Sequence, residues 1–322
     1  MISRRTLCLS ALACGIASHA SAQTYPAKPV KIIVPFAPGG SADVIARLVA
    51  DQMTKRLGQP FLIENVPGAS GNIGTARAAT APADGHTLLA AFSSFAINPS
   101  LFPNLTFDII KDFKPITMAA TATHAVVVHL GLKAQTIKDL EAEVKASGGK
   151  MGFAHGGVGT PGHLLGELYR MSAGLDIVSV PFNGVAPAIT SILGGHTPLG
   201  IVALSPAVKH ITEGKLRALA VTGTMRAAVL PNVPTMIEAG RPDIVGDLWV
   251  GLLAPGKTPD DLVAKLNAEI VAALQTPEFQ DKLKAIGFAP VGNSSAIFAT
   301  DLAKESAMWG KVIRDAKIEA TP

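Results

Sequence analysis

The sequence predicts an α/β protein built as two domains that face each other across a cleft. Three observations carry that prediction. Short β-branched runs alternate with amphipathic stretches from Val30 onward, the pattern of strand–helix units around mostly parallel sheets. At 322 residues the chain is long for one core. Two glycine-rich strand-to-helix turns, Pro38 to Asp43 and Gly156 to His163, fall in separate halves.

The N-terminal stretch reads as an export signal. Arg4 and Arg5 form a positive region, Thr6 to Ala17 an apolar core, and Ala20-Ser21-Ala22 a small-residue cleavage site. Cleavage after Ala22 and a periplasmic mature protein are expected. Ser3-Arg4-Arg5-Thr6-Leu7 also resembles a twin-arginine signal. Cys14 admits a lipoprotein reading, against which Ala11 stands where leucine is the usual residue. Both cysteines, Cys8 and Cys14, lie in this segment, so the mature chain is expected to carry neither disulfides nor cysteine metal ligands. Without Arg4 and Arg5 the formal charge falls from +4 to +2. That balance and the few aromatic residues give no footing for nucleic acid.

The first unit sets the pattern. Val30–Val34 reads as a buried strand. Pro35, Pro38, Gly39 and Gly40 force a turn, Gly40 or Ser41 caps a helix, and Asp43 sits in its first turn, where a carboxylate suits the helix dipole. A helix start with free N–H groups is a ready anion site. Phe61 to Val66 is a second strand, followed by the turn Pro67 to Gly74 and a helix to about Ala81. Its Gly68-Ala69-Ser70-Gly71 lacks the spacing of a nucleophile elbow. Thr87 to Phe92 is a third strand, and Ser93 and Ser94 at its C-terminal end are candidate donors, because ligands collect at that end of open α/β sheets. Phe113 to Met118 reads as a fourth strand. Ala119 to Val126 lacks helical period and reads as the crossing into a second domain, so residues 23–121 and 226–322 are assigned to one domain and 122–225 to the other.

In the second domain Thr136 to Ser147 is amphipathic, with Ile137, Leu140 and Val144 on one face. Met151 to His155 is a strand, Gly156 to Gly159 a turn, and Thr160-Pro161 an N-cap with proline at the first helical position. Gly157-x-Gly159-x-x-Gly162 matches the dinucleotide fingerprint, but Asp176 stands at the wrong end of the next strand to hold a ribose. Asp176 to Phe182, Asn183-Gly184 and a helix from Ala186 to Leu193 form another unit. Leu199 to Leu204 is a strand, with Ser205-Pro206 opening the following turn, and Leu216 to Thr222 a further strand. Thr235 caps a short helix to Ala239. Asp247 to Leu253 returns to the first domain. A helix carries Leu262, Leu266, Ile270 and Leu274 on one face, and a helical tail runs from Ser295 to Ile318 over the outside of the first domain. The histidines and carboxylates show no metal-ligand spacing and no catalytic pairing, so neither a catalytic group nor a cofactor is expected.

Taken together, the two turns offer two sets of backbone donors to one cleft, with no Arg or Lys in either loop. Such donors suit a small carboxylated ligand, and a chain that crosses twice between domains forms a hinge.

The chain resembles the periplasmic solute receptors of tripartite tricarboxylate transporters, the Bug receptors, over essentially the whole mature sequence. The resemblance rests on Val34-Pro35-Phe36-Ala37-Pro38-Gly39-Gly40-Ser41-Ala42-Asp43, Pro67-Gly68-Ala69-Ser70-Gly71-Asn72-Ile73-Gly74 and Ala83-Asp84-Gly85-His86-Thr87-Leu88-Leu89. Further on it rests on Asp112-Phe113-Lys114-Pro115-Ile116, Gly159-Thr160-Pro161-Gly162-His163, Val180-Pro181-Phe182-Asn183-Gly184 and Pro231-Asn232-Val233-Pro234-Thr235 with Glu238-Ala239-Gly240. It implies a type II periplasmic-binding-protein fold. It also implies a monomer that captures a small organic acid and hands it to membrane permease subunits without chemistry; a ligand-presenting sensor is the other role it allows. An exported dinucleotide-dependent enzyme is the reading it displaces. In the family main-chain groups and water hold the ligand's carboxylate, which here points to Phe36, Ala37, Pro38, Gly39, Gly40, Ser41 and Asp43 on one side. Across the cleft it points to Gly156, Gly159 and Thr160, and Ser93, Ser94, His155, Phe182, Asn183 and Ser205 complete the candidate set. The chain departs from the family pattern at Phe182 and Asn183, where Tyr and a basic residue are frequent. It departs again at His155, where a small residue is common, and at His196-Thr197-Pro198.

Overall fold

The computed structural model describes residues 25–319; the export signal and both cysteines lie outside them. Its strands join in the order β2 (Phe61–Asn65), β1 (Val30–Val34), β3 (Thr87–Phe92), β9 (Asp247–Pro255), β4 (Phe113–His129), β7 (Leu199–Ala203), β5 (Gly152–His155) and β6 (Val178–Pro181), with β8 (Leu216–Val221) and β10 (Ala289–Pro290) pairing on β4. The first lobe begins with β1 (Val30–Val34), α1 (Ser41–Leu57), β2 (Phe61–Asn65), α2 (Asn72–Ala79), β3 (Thr87–Phe92) and α3 (Ser94–Leu101). Val30, Ile32, Ile33 and Val34 are buried, as a strand covered on both faces requires. Helix α1 lays Ile45, Val49 and Met53 against it, each fully buried, at about 1.5–3 kcal/mol per side chain. Gly58, at φ 71°, ends the helix in the left-handed conformation that glycine adopts without steric cost.

β4 (Phe113–His129) is one continuous strand of 17 residues. The sequence suggests a strand that stops at Met118 and an irregular crossing. Instead Phe113 to Thr123 pair with β9 (Asp247–Pro255), and His124 to Val128 pair with β7 (Leu199–Ala203). The small residues of Ala119 to Thr123 obscure the strand pattern, yet both neighbours supply ladder partners, so the backbone stays extended. The second lobe adds α4 (Ile137–Ser147), β5 (Gly152–His155), α5 (Pro161–Ser172), β6 (Val178–Pro181), α6 (Val185–Leu193), α7 (Leu204–Thr212) and β8 (Leu216–Val221). A capping box between Thr136 and Asp139 starts α4, and Ile137, Leu140 and Val144 are buried.

The sheets are less parallel than the sequence suggests. β1, β2 and β3 run parallel, as do β5, β6 and β7. The strands that carry the chain between lobes, β4 and β9, run antiparallel, because one leaves the first lobe and the other returns. Residues 226–246, assigned from the sequence to the first domain, pack on the second lobe. There Val221 bridges Thr235, and Arg241 makes a two-pronged contact with Glu141 at 2.7 and 2.6 Å. The Thr235–Glu238 capping pair forms, but it closes a turn rather than a helix.

The chain finishes in the first lobe with α8 (Asp260–Leu274), α9 (Pro277–Ala285), β10 (Ala289–Pro290) and α10 (Ser295–Asp315). The last helix buries Phe298, Leu302 and Trp309. It packs on α3 and β4 and also reaches α5 of the second lobe, a wider span than the first domain alone.

Candidate functional site

A cavity of about 520 Å³ opens between the lobes, within the range of small-molecule sites. Four helices begin at its wall. Gly39, Ser41 and Val44 bring the start of α1, and Thr160 to Gly162 that of α5. Gly184 and Val185 bring the start of α6, and Ser205 and Pro206 that of α7. Its floor is Ala122 and His124 of β4, at the junction of the lobes. Among the described residues no Arg, Lys, Asp or Glu lines it.

The first jaw is shaped by Asp43. Its carboxylate is 2% exposed and accepts from the Gly39 N–H at 2.9 Å, Arg47 Nε at 2.9 Å and Asn65 Nδ2 at 2.8 Å. Asn65 also donates to the Phe36 carbonyl at 3.0 Å. The carboxylate thus folds Gly39, at φ 88°, back over the helix start. Three donors already converge on it, and among the described residues it does not line the cavity. Burial alone would raise the Asp43 carboxyl, but the bonds from Arg47, Gly39 and Asn65 together bring it below the usual range. Gly40 caps α1 without a side-chain bond, and the first backbone bond is Val44 N–H to the Gly40 carbonyl. The N–H groups of Ser41, Ala42 and Asp43 therefore have no protein partner among the described residues.

The second jaw stands on two stacked imidazoles. The rings of His155 and His163 lie 4.4 Å apart at 17°. His163 Nδ1 accepts the Gly159 N–H at 3.1 Å. His155 Nδ1 lies 3.2 Å from Gly157 N and 2.9 Å from its carbonyl oxygen, and Nε2 lies 2.8 Å from Ser179 Oγ. His155 is fully buried and lies outside the cavity lining, so its ring supports the loop from within the second lobe. Thr160 Oγ1 donates to the Gly157 carbonyl at 2.7 Å, leaving the Gly162 and His163 N–H groups unpartnered at the start of α5 among the described residues.

Of the candidate residues, Gly39, Ser41, Gly156, Thr160 and Ser205 line the cavity. Ala37, Pro38 and Gly40 are exposed beside it. Phe36 and Ser94 line a separate void of about 10 Å³, room for roughly one water. Ser93 is buried, and its Oγ accepts the Trp249 N–H at 2.8 Å; it ties β3 to β9. Gly159 packs towards Leu101 of the first lobe, 2.5 Å from where a Cβ would stand. Phe182 and Asn183 stop one turn short, and their successors Gly184 and Val185 reach the wall.

Sequence reasoning missed His124, Leu248, Ile286 and Phe288. His124 is the one ionisable residue of the Ala119–Val126 crossing. It is 2% exposed, with Nδ1 lacking a partner among the described residues. Burial pushes its imidazole down to about 4, against a smaller opposing pull from the Gly246 carbonyl, so it is neutral at pH 7. Ile286 and Phe288 flank Gly287 in a turn without periodicity, and only the closed fold brings them to Ser205, whose Oγ donates to the Ile286 carbonyl at 2.7 Å.

These titrations fix an acid response. Burial, with the neighbouring His163 adding to it, holds His155 at about 4, and burial holds His163 at about 4, against an ordinary 6.5. Between 6.5 and 4 the unfolded chain binds more protons than the folded one. The stability from neutral histidine is therefore complete above 6.5 and is lost as pH falls towards 4, by on the order of a few kcal/mol. Glu305 acts with the opposite sign. Burial raises it to about 7 despite hydrogen bonds from Trp309 and Trp249, so its protonated form stabilises the fold at low pH. We expect the melting temperature to drop from pH 7 to pH 4.5, and to drop less in His163→Gln; equal slopes for the two proteins would exclude the imidazole pair as the cause.

Comparison with known proteins agrees with this geometry. Residues 45–318 match the family described as tripartite tricarboxylate transporter family receptor. Protein BugT of Bordetella pertussis is 37% identical over 303 residues, covering 94% of this chain and 93% of BugT. An R. palustris protein solved with adipate is 31% identical with a TM-score of 0.76, over 92% of this chain and 99% of that one. MatC from Rhodopseudomonas palustris with bound malate is 31% identical with a TM-score of 0.72, over 90% and 100%. The two lobes are thus those of the periplasmic-binding-protein fold, and the chain belongs to the receptor family of the tripartite tricarboxylate transporters.

Proposed function

We propose that this receptor is exported, loses residues 1–22, and captures a small carboxylate between its lobes as a monomer for delivery to membrane permease subunits. The carrying observation is a cavity at which four helices begin, two of them with free N–H groups, and which no cationic side chain lines among the described residues. Hydrogen bonds from such groups to a carboxylate contribute about 1.5–3 kcal/mol each. Gly39, Ser41, Gly156, Thr160 and Ser205 are the ligand-facing members of the candidate set. The lobes act as two domains that meet at Thr123–His124 and Gly246–Asp247, where Thr222 binds both crossings. The adipate and malate seen in two relatives support the ligand class.

Calorimetric titration with adipate, phenylacetate and malate tests the reading. At least one acid should bind saturably and be recovered unchanged by mass spectrometry. Binding of the corresponding methyl ester as tightly as the acid, or conversion of the acid, would overturn it.

A further inference from the structure

Apart from His124 in the floor, a neutral imidazole only 2% exposed, the wall that surrounds the helix ends is hydrocarbon. Val44, Phe92, Leu248, Ile286 and Phe288 face the cavity from the first lobe, and Val185, Ile201 and Val202 from the second. The side-chain hydroxyls are few. Thr160 already donates to Gly157 and Ser205 to Ile286, which leaves Ser41 with an uncommitted hydroxyl proton among the described residues. Among the described residues no carboxylate stands in the wall to meet an ammonium, and no guanidinium or ammonium to meet a third acid group.

Resting on the carboxylate reading above, we propose that the ligand is a carboxylic acid with an unsubstituted hydrocarbon body, aryl or alkyl, carrying one or two acid groups. Hydroxy acids, amino acids and tricarboxylates are selected against. A hydroxyl on the ligand body would leave water for an apolar wall. Each polar group left unpaired in that way weakens binding on the order of ten- to a hundredfold. An α-ammonium meets only the positive ends of helices, so its burial is disfavoured both by charge and by desolvation. A third carboxylate exceeds what helix termini, each equivalent to roughly half a unit charge, offset without a cation.

The test is calorimetry of the full mature protein with phenylacetate, adipate, malate, glutamate and citrate. Phenylacetate or adipate should bind at least about tenfold more tightly than malate, glutamate and citrate. Malate, glutamate or citrate binding as tightly as the hydrocarbon acids would overturn this inference and leave the carboxylate reading standing. Failure of all five acids would count against both. Leu248→Asn supplies a second arm, because it places an amide in the wall at a half-buried position. With melting temperature confirming the fold, it should narrow the preference for phenylacetate over malate; an unchanged ratio would show that the wall does not set the selectivity.

Discussion

Gly287→Ala should weaken ligand binding about tenfold or more while leaving a folded protein. Gly287 follows Ile286 at the edge of the first lobe, and the start of α7 from the second lobe closes onto it. A Cβ built there would lie 2.5 Å from Ser205 Cβ and 2.6 Å from Ser205 Oγ, inside any permitted contact. The residue also holds φ at 75°, which costs alanine about 1–2 kcal/mol. The two penalties separate experimentally. The backbone cost is present whether or not the lobes meet, and it lowers the melting temperature. The clash exists only when the lobes close at this edge, and it lowers affinity. Ser205 lines the cavity, but its Oγ is already spent on the Ile286 carbonyl, so adding Ser205→Gly to Gly287→Ala removes the clash without removing a free ligand donor and should recover much of the affinity but not the melting temperature. Calorimetry beside thermal melts reads both, and a double variant as weak in binding as the single one would rule out the closure contact.

Asp43→Asn is expected to destabilise the protein by roughly 3 kcal/mol and to abolish binding. Asparagine keeps the shape but offers one acceptor where Gly39, Arg47 and Asn65 all donate, and its amide then faces other donors. The first jaw loses the bond that folds Gly39 over the helix start. The pH dependence identifies the cause. A carboxyl depressed in the folded state contributes stability above its ordinary unfolded value, near 3.8, and that contribution is lost as pH falls through the depressed value. Urea unfolding should therefore show a large gap between wild type and Asp43→Asn at pH 7 and a smaller one at pH 3. A gap unchanged with pH would mean that shape, not charge, holds the loop.

Local chemistry made much of this structure legible in the sequence. Val30–Val34 is apolar at every position but Lys31, Gly58 stops a helix only glycine stops easily, and Thr136 with Asp139 spells a cap; each signal lies within a few residues. The features that were not legible depend on partners far along the chain. β4 looks irregular from Ala119 onward because its ladder partners come from β7 and β9. The hydroxyl of Ser93 sits where a ligand donor belongs, yet the backbone of Trp249 takes it. Asp43 lies in the right loop for a ligand, but Asn65 and Arg47 turn it inward. The glycine pattern found two jaws because glycines mark sharp turns. It undervalued the starts of α6 and α7, which present backbone donors with less glycine around them.

β4 has a mechanical consequence. Because the strand runs unbroken through the junction and is paired on both sides of it, the lobes share one stiff ribbon rather than a loose tether. Such a ribbon resists sliding and stretching, since either breaks ladder hydrogen bonds, but it yields to torsion. Its register shifts, at Pro115–Thr117, Met118–Ala120 and Val126–Val127, are irregularities that concentrate twist. Rotation of one lobe against the other is therefore expected to twist this ribbon, with the second crossing at Gly246–Asp247 following, while the ladders on either side of the junction stay paired.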